Sequence, residues 1–157
     1  MISKAVFAGT FDPFTLGHFE IAERAAKRFD EVIVAVADVT GKKCMFSQNK
    51  RVELAKKSLS TLKNVKVVPF SGFLVDFMNG NGANVFVRGL RNSVDFEYER
   101  NLYNVYKSQD ENVEGCYFMA SNEYLHISSS LVREVLSIGG DARKYVREEI
   151  RNDLKGV

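Results

Sequence analysis

Apolar residues along this chain come in short clusters, and the spacing inside the clusters alternates between two kinds. Nearly continuous β-branched or aromatic runs predict strands at Lys4 to Ala8, Glu31 to Ala37, Val65 to Phe70, Asn84 to Arg88 and Gly115 to Ala120. Between the runs, apolar positions recur every three or four residues. Ile21, Ala22, Ala25, Ala26 and Phe29 form one face of a first helix, and Val52, Ala55, Leu59 and Leu62 one face of a second. A short third helix covers Phe73 to Met78 and closes in the glycine-rich Asn79 to Gly82, and a fourth covers Val94 to Lys107. From Ser129 onward the pattern predicts two helices broken at Gly139-Gly140, the second with Val146, Ile150 and Leu154 spaced by fours.

Near-continuous apolar strands separated by helices argue for parallel pairing with both sheet faces covered. The expected class is α/β: a Rossmann-like open parallel sheet of about five strands, helices on both faces and a C-terminal helical tail. No repeat, low-complexity tract or linker interrupts the pattern, so residues 1–157 read as a single domain. A length of 157 residues with 45% hydrophobic content, including twelve Phe and six Tyr, is sufficient for a full core.

Charge narrows the function. Twenty-two Lys and Arg against twenty Asp and Glu leave a net charge of +2, without the excess expected of a dedicated nucleic-acid binder. Any basic site must be local. The apolar runs fall short of a membrane span and no signal core opens the chain, which predicts a soluble cytoplasmic protein. Cys44 and Cys116 fit neither a zinc spacing nor a disulfide framework, and His18 and His126 are the only histidines, so no metal cage is expected.

Ligands of open α/β sheets bind outside the carboxyl ends of the strands. Those ends carry Gly9-Thr10, Lys42-Lys43, Ser71-Gly72, Arg88 to Arg91, and Ser121 to Ser130. In "GTFDPFTLGH", Gly9 lets backbone approach a ligand, Gly17 relaxes the turn before the helix, and His18 falls in a first helical turn whose free N–H groups favour anions. A plain strand-turn-helix joint is the alternative for the first three residues alone. "VRGLR" offers two guanidinium forks suited to phosphate, or equally to Asp95, Glu97 or Glu99 in the acidic "DFEYE" that follows. Lys42 and Lys43 are either a solvated pair or phosphate ligands. Ser128, Ser129 and Ser130 exceed what capping needs, and favour an anion cradle. Tyr98, Leu102 and Tyr106 recur at fours as a packing or interface stripe, and His126 reads as structural.

The first motif resembles the T-x-G-H type motif of the nucleotidyltransferase superfamily; Walker A and G-x-G-x-x-G patterns are both absent. Taken with "KKCMF", "VRGLR", "DFEYE" and "ISSSLVREV", it makes the chain similar, from Ser3 to Leu154, to the bacterial phosphopantetheine adenylyltransferase family. That family transfers the adenylyl group of ATP to 4'-phosphopantetheine, giving dephospho-coenzyme A and pyrophosphate in the penultimate step of coenzyme A synthesis. The resemblance implies magnesium bound mainly through the ATP phosphates, feedback by coenzyme A, and a homohexamer built as a dimer of trimers.

It also implies roles. Thr10, Lys42, Phe73, Leu74 and Arg88 would contact phosphopantetheine, with Thr10 and Lys42 near its phosphate. Thr10, Phe11, His18, Gly89, Leu90, Arg91 and Glu99 would line the ATP site, together with Tyr124, Leu125, His126, Ile127, Ser128, Ser129 and Ser130. His18, Thr10, Lys42 and Arg91 would form the catalytic set. Where the family commonly carries prolines this chain has Ala8, Thr40, Cys44, Ala120 and Arg147, leaving only Pro13 and Pro69, which implies freer loops. Three rivals remain at this level: a relative using CTP or a nicotinamide mononucleotide acceptor, a nucleotide sensor without turnover, and an RNA-binding module.

Overall fold

Side-chain burial explains the layers. The computed structural model describes residues 3–39, 41 and 43–155. Five strands, β1 (Lys4–Gly9), β2 (Glu31–Ala37), β3 (Val65–Phe70), β4 (Val85–Leu90) and β5 (Glu114–Met119), form one sheet in the order β3-β2-β1-β4-β5 with every pairing parallel. Alternate residues of the strands face opposite layers. Phe7, Val32, Val34 and Val36 pack on one side against α1 (Leu16–Ala26) and α2 (Gln48–Ser58). Val6, Ile33, Ala35 and Phe86 pack on the other against α3 (Leu74–Gly80) and α4 (Ser93–Gln109). Among the described residues, no helix is long and apolar enough to cross a membrane.

The chain builds outward from β1 to β3, then returns to the other side of β1 for β4, so the strand order reverses between β1 and β4. At this boundary the sheet opens. β1 and β2 stay in register from Lys4–Glu31 to Gly9–Val36, whereas β1 and β4 pair only at Ala5–Val85 and Val6–Phe86. Beyond Val6 the two central strands part, and the β1 carbonyls above that point lose their neighbour. Arg88 of β4 answers by donating from Nη1 to the Ala8 carbonyl.

Arg51 does the same one layer over. It is 2% exposed on α2, and its guanidinium donates to the carbonyls of Thr10 (2.5 Å), Ala37 (2.8 Å) and Phe46 (3.2 Å). One cation thus joins the ends of β1 and β2 to the loop before α2. Gln48 Nε2 adds bonds to Val36 O and Phe70 O at the ends of β2 and β3. Buried carbonyls must be paired somewhere, and here side chains from the following helix supply the donors.

The tail departs from expectation. α5 (Ser129–Ser137) forms as predicted, but the second helix is replaced by two short 3-10 turns, Arg143–Tyr145 and Glu148–Ile150. Gly139 takes a φ of +74°, which ends α5, and the Asp141 carboxylate then accepts from the Arg143 amide (3.0 Å) and guanidinium (2.7 and 2.8 Å), holding a turn. Val146, Ile150 and Leu154 are buried all the same, in a third cluster with Phe46, Leu54, Val132 and Leu136. α1 and α2 also stop short of the predicted Phe29 and Leu62, which pack on the core from the connecting turns.

Replacing Arg51 by Met keeps the apolar stem and strands three carbonyls, so we expect Arg51→Met to lower unfolding free energy by about 3 kcal/mol. A denaturant titration checks this, and a loss below about 1 kcal/mol would mean that water replaces the guanidinium.

Candidate active site

The loop from Gly9 to Thr15 is built around aromatic rings. Phe11 has a φ of 50° and is 3% exposed, its ring edge-on to Phe7 at 5.2 Å, and the Asp12–Pro13 peptide bond is cis. Gly9 is required by that packing, since a Cβ there would fall 2.9 Å from the Phe11 ring. Thr15 then caps α1. Its side chain accepts from the His18 amide at 3.4 Å, and its own amide donates to His18 Nδ1 at 3.0 Å, a reciprocal box with histidine in the place of the usual Glu or Gln.

This box decides the chemistry of His18. A backbone N–H can only donate, so Nδ1 is the bare nitrogen and Nε2 carries the proton. The ring is half-buried among Phe7, Phe11 and Phe14, with centroids at 6.4, 5.0 and 5.3 Å. Burial there, and next the positive charge of Arg91, push its pKa down to about 4. In the free protein His18 is therefore a neutral donor through Nε2.

The two arginines of "VRGLR" are both paired within the chain. Arg88 Nε donates to Glu99 Oε2 at 3.1 Å while Nη1 holds Ala8 O, and Arg91 meets Asp95 through its backbone N (3.0 Å) and Nε (3.1 Å). Glu99 is thus the partner of Arg88. Gly89 lets β4 lie close under α1, because a Cβ would approach Ile21 Cγ1 to 2.9 Å. The serines divide their work as well: Ser128 Oγ caps α5 by accepting from Leu131 N (3.1 Å), Ser129 Oγ donates to Pro13 O (2.7 Å), and Ser130 Oγ accepts from Arg133 Nη2 (3.2 Å). One serine caps and the other two bond elsewhere, while the first N–H groups of the helix have no intrahelical acceptor.

Thr15, His18, Arg88, Arg91, Glu99 and the three serines border one cavity of about 700 Å³. It lies over the parting of β1 and β4, with the N-terminal turns of α1 and α5 at its polar side. At its other side Ala37, Phe70, Phe73, Leu74, Leu102 and Val105 make an apolar wall. Of the residues singled out from sequence, Thr10, Phe11, His18, Phe73, Leu74, Arg88, Gly89, Arg91, Glu99, Tyr124, Ile127 and Ser128 to Ser130 border this cavity. Leu90, Leu125 and His126 do not: Leu90 is buried in the sheet, Leu125 is 40% exposed, and the exposed His126 ring sits edge-on to Tyr145 at 6.3 Å. Lys42 and Thr40 lie outside the described residues.

Lys43, offered from sequence as a phosphate ligand, reaches the cavity, and three further residues, Arg133, Asp12 and Arg51, contribute that were not singled out. Arg133 borders the cavity and also donates from Nη1 to Asp12 O at 2.7 Å. Asp12 and Arg51 brace its loops. Two signals were available: Arg133 stands three residues after Ser130, on the same helix face, and Arg51 stands four before Ala55, on the buried face. Among the described residues no three His, Cys, Asp or Glu side chains converge to hold a metal ion.

Comparison with known proteins identifies the family and the fold. Residues 6–135 match the cytidylyltransferase-like family model. The chain is 46% identical over 154 residues to the phosphopantetheine adenylyltransferase of Nautilia profundicola, covering 98% of this chain and 100% of that protein. Among solved structures it is similar to a candidate nicotinate-nucleotide adenylyltransferase from Vibrio parahaemolyticus, with TM-score 0.72 and 20% identity over 98% of this chain and 99% of that one. A bifunctional NMN adenylyltransferase/ADP ribose pyrophosphatase from Francisella tularensis gives TM-score 0.74 at 17% identity, over 98% of this chain and 49% of that one. At those identities the two structures speak for the fold alone.

An unfolded chain takes up the imidazole proton near pH 6.5 and the folded chain only near 4, so the stability contributed by neutral His18 is complete above 6.5 and is lost as pH falls toward 4. In a His126→Asn background, an NMR titration of the single remaining imidazole should show its midpoint near 4, and Arg91→Gln should raise it. A midpoint at 6.5 would contradict the buried neutral ring.

Proposed function

Because the chain belongs to the cytidylyltransferase-like family, and within it to the phosphopantetheine adenylyltransferases, we propose that it transfers the adenylyl group of ATP to 4'-phosphopantetheine, yielding dephospho-coenzyme A and pyrophosphate. The observation that carries this reading is the convergence of two helix N-termini and a neutral His18 donor on a cavity whose opposite wall is apolar. A triphosphate suits the first side, and a pantetheine arm the second.

The reaction needs no strong base, since the attacking group is a phosphate oxygen that is already an anion. That oxygen forms a bond to the α-phosphorus of ATP in line with the departing pyrophosphate, whose bridging P–O bond breaks with the electron pair. No covalent intermediate with the protein is required. Positioning and charge stabilisation supply the rate. His18 Nε2–H donates to an α-phosphoryl oxygen as charge shifts there, while Thr10, Lys42 and Arg91 meet the phosphates of the two substrates. Arg88, fixed by Glu99 and the Ala8 carbonyl, reaches the phosphopantetheine side without freedom to swing. Phe73 and Leu74 line the arm.

Magnesium fits this site only as a companion of ATP. The cavity carboxylates are committed, Asp12 to backbone amides and Glu99 to Arg88, so the ion would be held mainly by phosphate oxygens and would neutralise part of their charge. Coenzyme A, which shares the pantetheine arm, would compete for the same apolar wall as a feedback ligand. The cytoplasm, where ATP and phosphopantetheine are found, is the proposed location.

A homohexamer is supported by α4. This helix of 17 residues has Tyr106 as its buried residue and exposes Val94 (74%), Phe96 (50%), Tyr98 (63%) and Val105 (48%), an apolar surface suited to contact between copies. Sedimentation should return a mass close to six times 17.7 kDa. A monomer at micromolar concentration would leave that surface without an occupant.

The deciding assay is pyrophosphate release with ATP and 4'-phosphopantetheine, beside CTP and nicotinamide mononucleotide. Release is expected only with the first pair; release with another pair instead would move the chain to a different member reaction. In His18→Ala we expect kcat to fall by about 100-fold or more with ATP affinity changed less than about threefold. A loss confined to ATP binding would remove His18 from the transition state.

A further inference from the structure

Asp12 is a carboxylate that the reaction as derived does not use, and it is 3% exposed. A buried carboxylate is costly unless it is hydrogen-bonded. The near cation, Arg133, stands 3.8 Å from Oδ2 and spends its short bonds on Asp12 O (2.7 Å) and Ser130 Oγ (3.2 Å). The carboxylate accepts instead from two consecutive backbone amides, Met45 N to Oδ2 at 2.8 Å and Phe46 N to Oδ1 at 2.9 Å.

Those amides belong to the connection between β2 and α2, which carries Lys42 and Lys43. The connection leaves β2 with Asp38 N donating to Phe70 O at 2.8 Å, and its far end is fixed where both Asp12 oxygens meet residues 45 and 46. Lys43 precedes that clasp by two residues and borders the cavity. A carboxylate is the side chain that can serve both amides. An Asn offers one oxygen and turns an NH2 group toward the second N–H.

We propose that Asp12 is a positioning residue: by clasping the Met45 and Phe46 amides it sets the reach of Lys43 over the cavity, where that lysine meets substrate phosphate. The proposal rests on the adenylyl-transfer reading of the same cavity. Through its main-chain oxygen Asp12 also holds Arg133, so the lysine connection and the first turn of α5 take their places from one residue.

The test is a double-mutant cycle of Asp12→Asn with Lys43→Ala, read as kcat and KM for each substrate. Asp12→Asn should lower kcat/KM for phosphopantetheine about 30-fold in the parent chain and less than about threefold in Lys43→Ala, with KM for ATP moving least. Equal losses in the two backgrounds would overturn the proposal, because a merely structural role does not depend on Lys43. A second arm needs no substrate: trypsin should cut after Lys42 or Lys43 about tenfold faster in Asp12→Asn, with other sites unchanged, and an unchanged rate would overturn the clasp. Should that variant fail to fold, amide exchange in the unaltered chain decides. Met45 and Phe46 must exchange more slowly than Lys43 and Cys44, and equal exchange overturns the proposal. A parent chain that released no pyrophosphate, while its connection loosened in Asp12→Asn, would retire the reaction and leave the clasp standing.

Discussion

The parting of β1 from β4 is the constraint on which the site depends. Two pairings, at Val6 and below, hold the centre of the sheet, and above them the strands separate to leave room between layers that are otherwise sealed. Opening a sheet exposes backbone acceptors, and each must find a donor. Arg88 serves the Ala8 carbonyl, and Arg51 serves Thr10 and Ala37. The cations near the cavity floor are thus backbone partners before they are anything else. Their fixed geometry is what gives a phosphate-handling site a rigid frame.

That frame sorts two kinds of polar group. Some are consumed by the fold: Glu99 by Arg88, Asp95 by Arg91, Asp12 by two amides, Ser128 by the first turn of α5. Others are presented outward, among them His18 Nε2 and the first amides of α1 and α5. The carboxylates being taken up, the open groups are donors, which is the right polarity for two anionic substrates that must approach each other. Burial keeps His18 neutral, so its donation does not depend on a proton gained from solvent near neutrality.

Much of this was legible in the sequence, and the reasons differ by element. Strand positions followed from β-branched runs, with boundaries moved by a residue or so, as β4 shows by starting at Val85 and ending at Leu90. The strand-end loops carried their chemistry openly, because glycines, the Thr10 to His18 spacing and three serines have few other uses together. What sequence could not disclose was long-range pairing. Nothing near Asp12 points to residues 45 and 46, and nothing near Arg51 points to Thr10, because such bonds exist only once β1, β2 and α2 have met. The tail illustrates a different limit. Spacing by fours correctly marked Val146, Ile150 and Leu154 as buried, but a local clasp between Asp141 and Arg143 chose turns over a helix.

Phe46 belongs at once to the clasp under the lysine connection and to the cluster formed by Val146, Ile150 and Leu154. A ribosome makes those tail residues after every residue that borders the cavity. A nascent chain can therefore have its sheet and both helix N-termini in place while one wall of the site still lacks its backing.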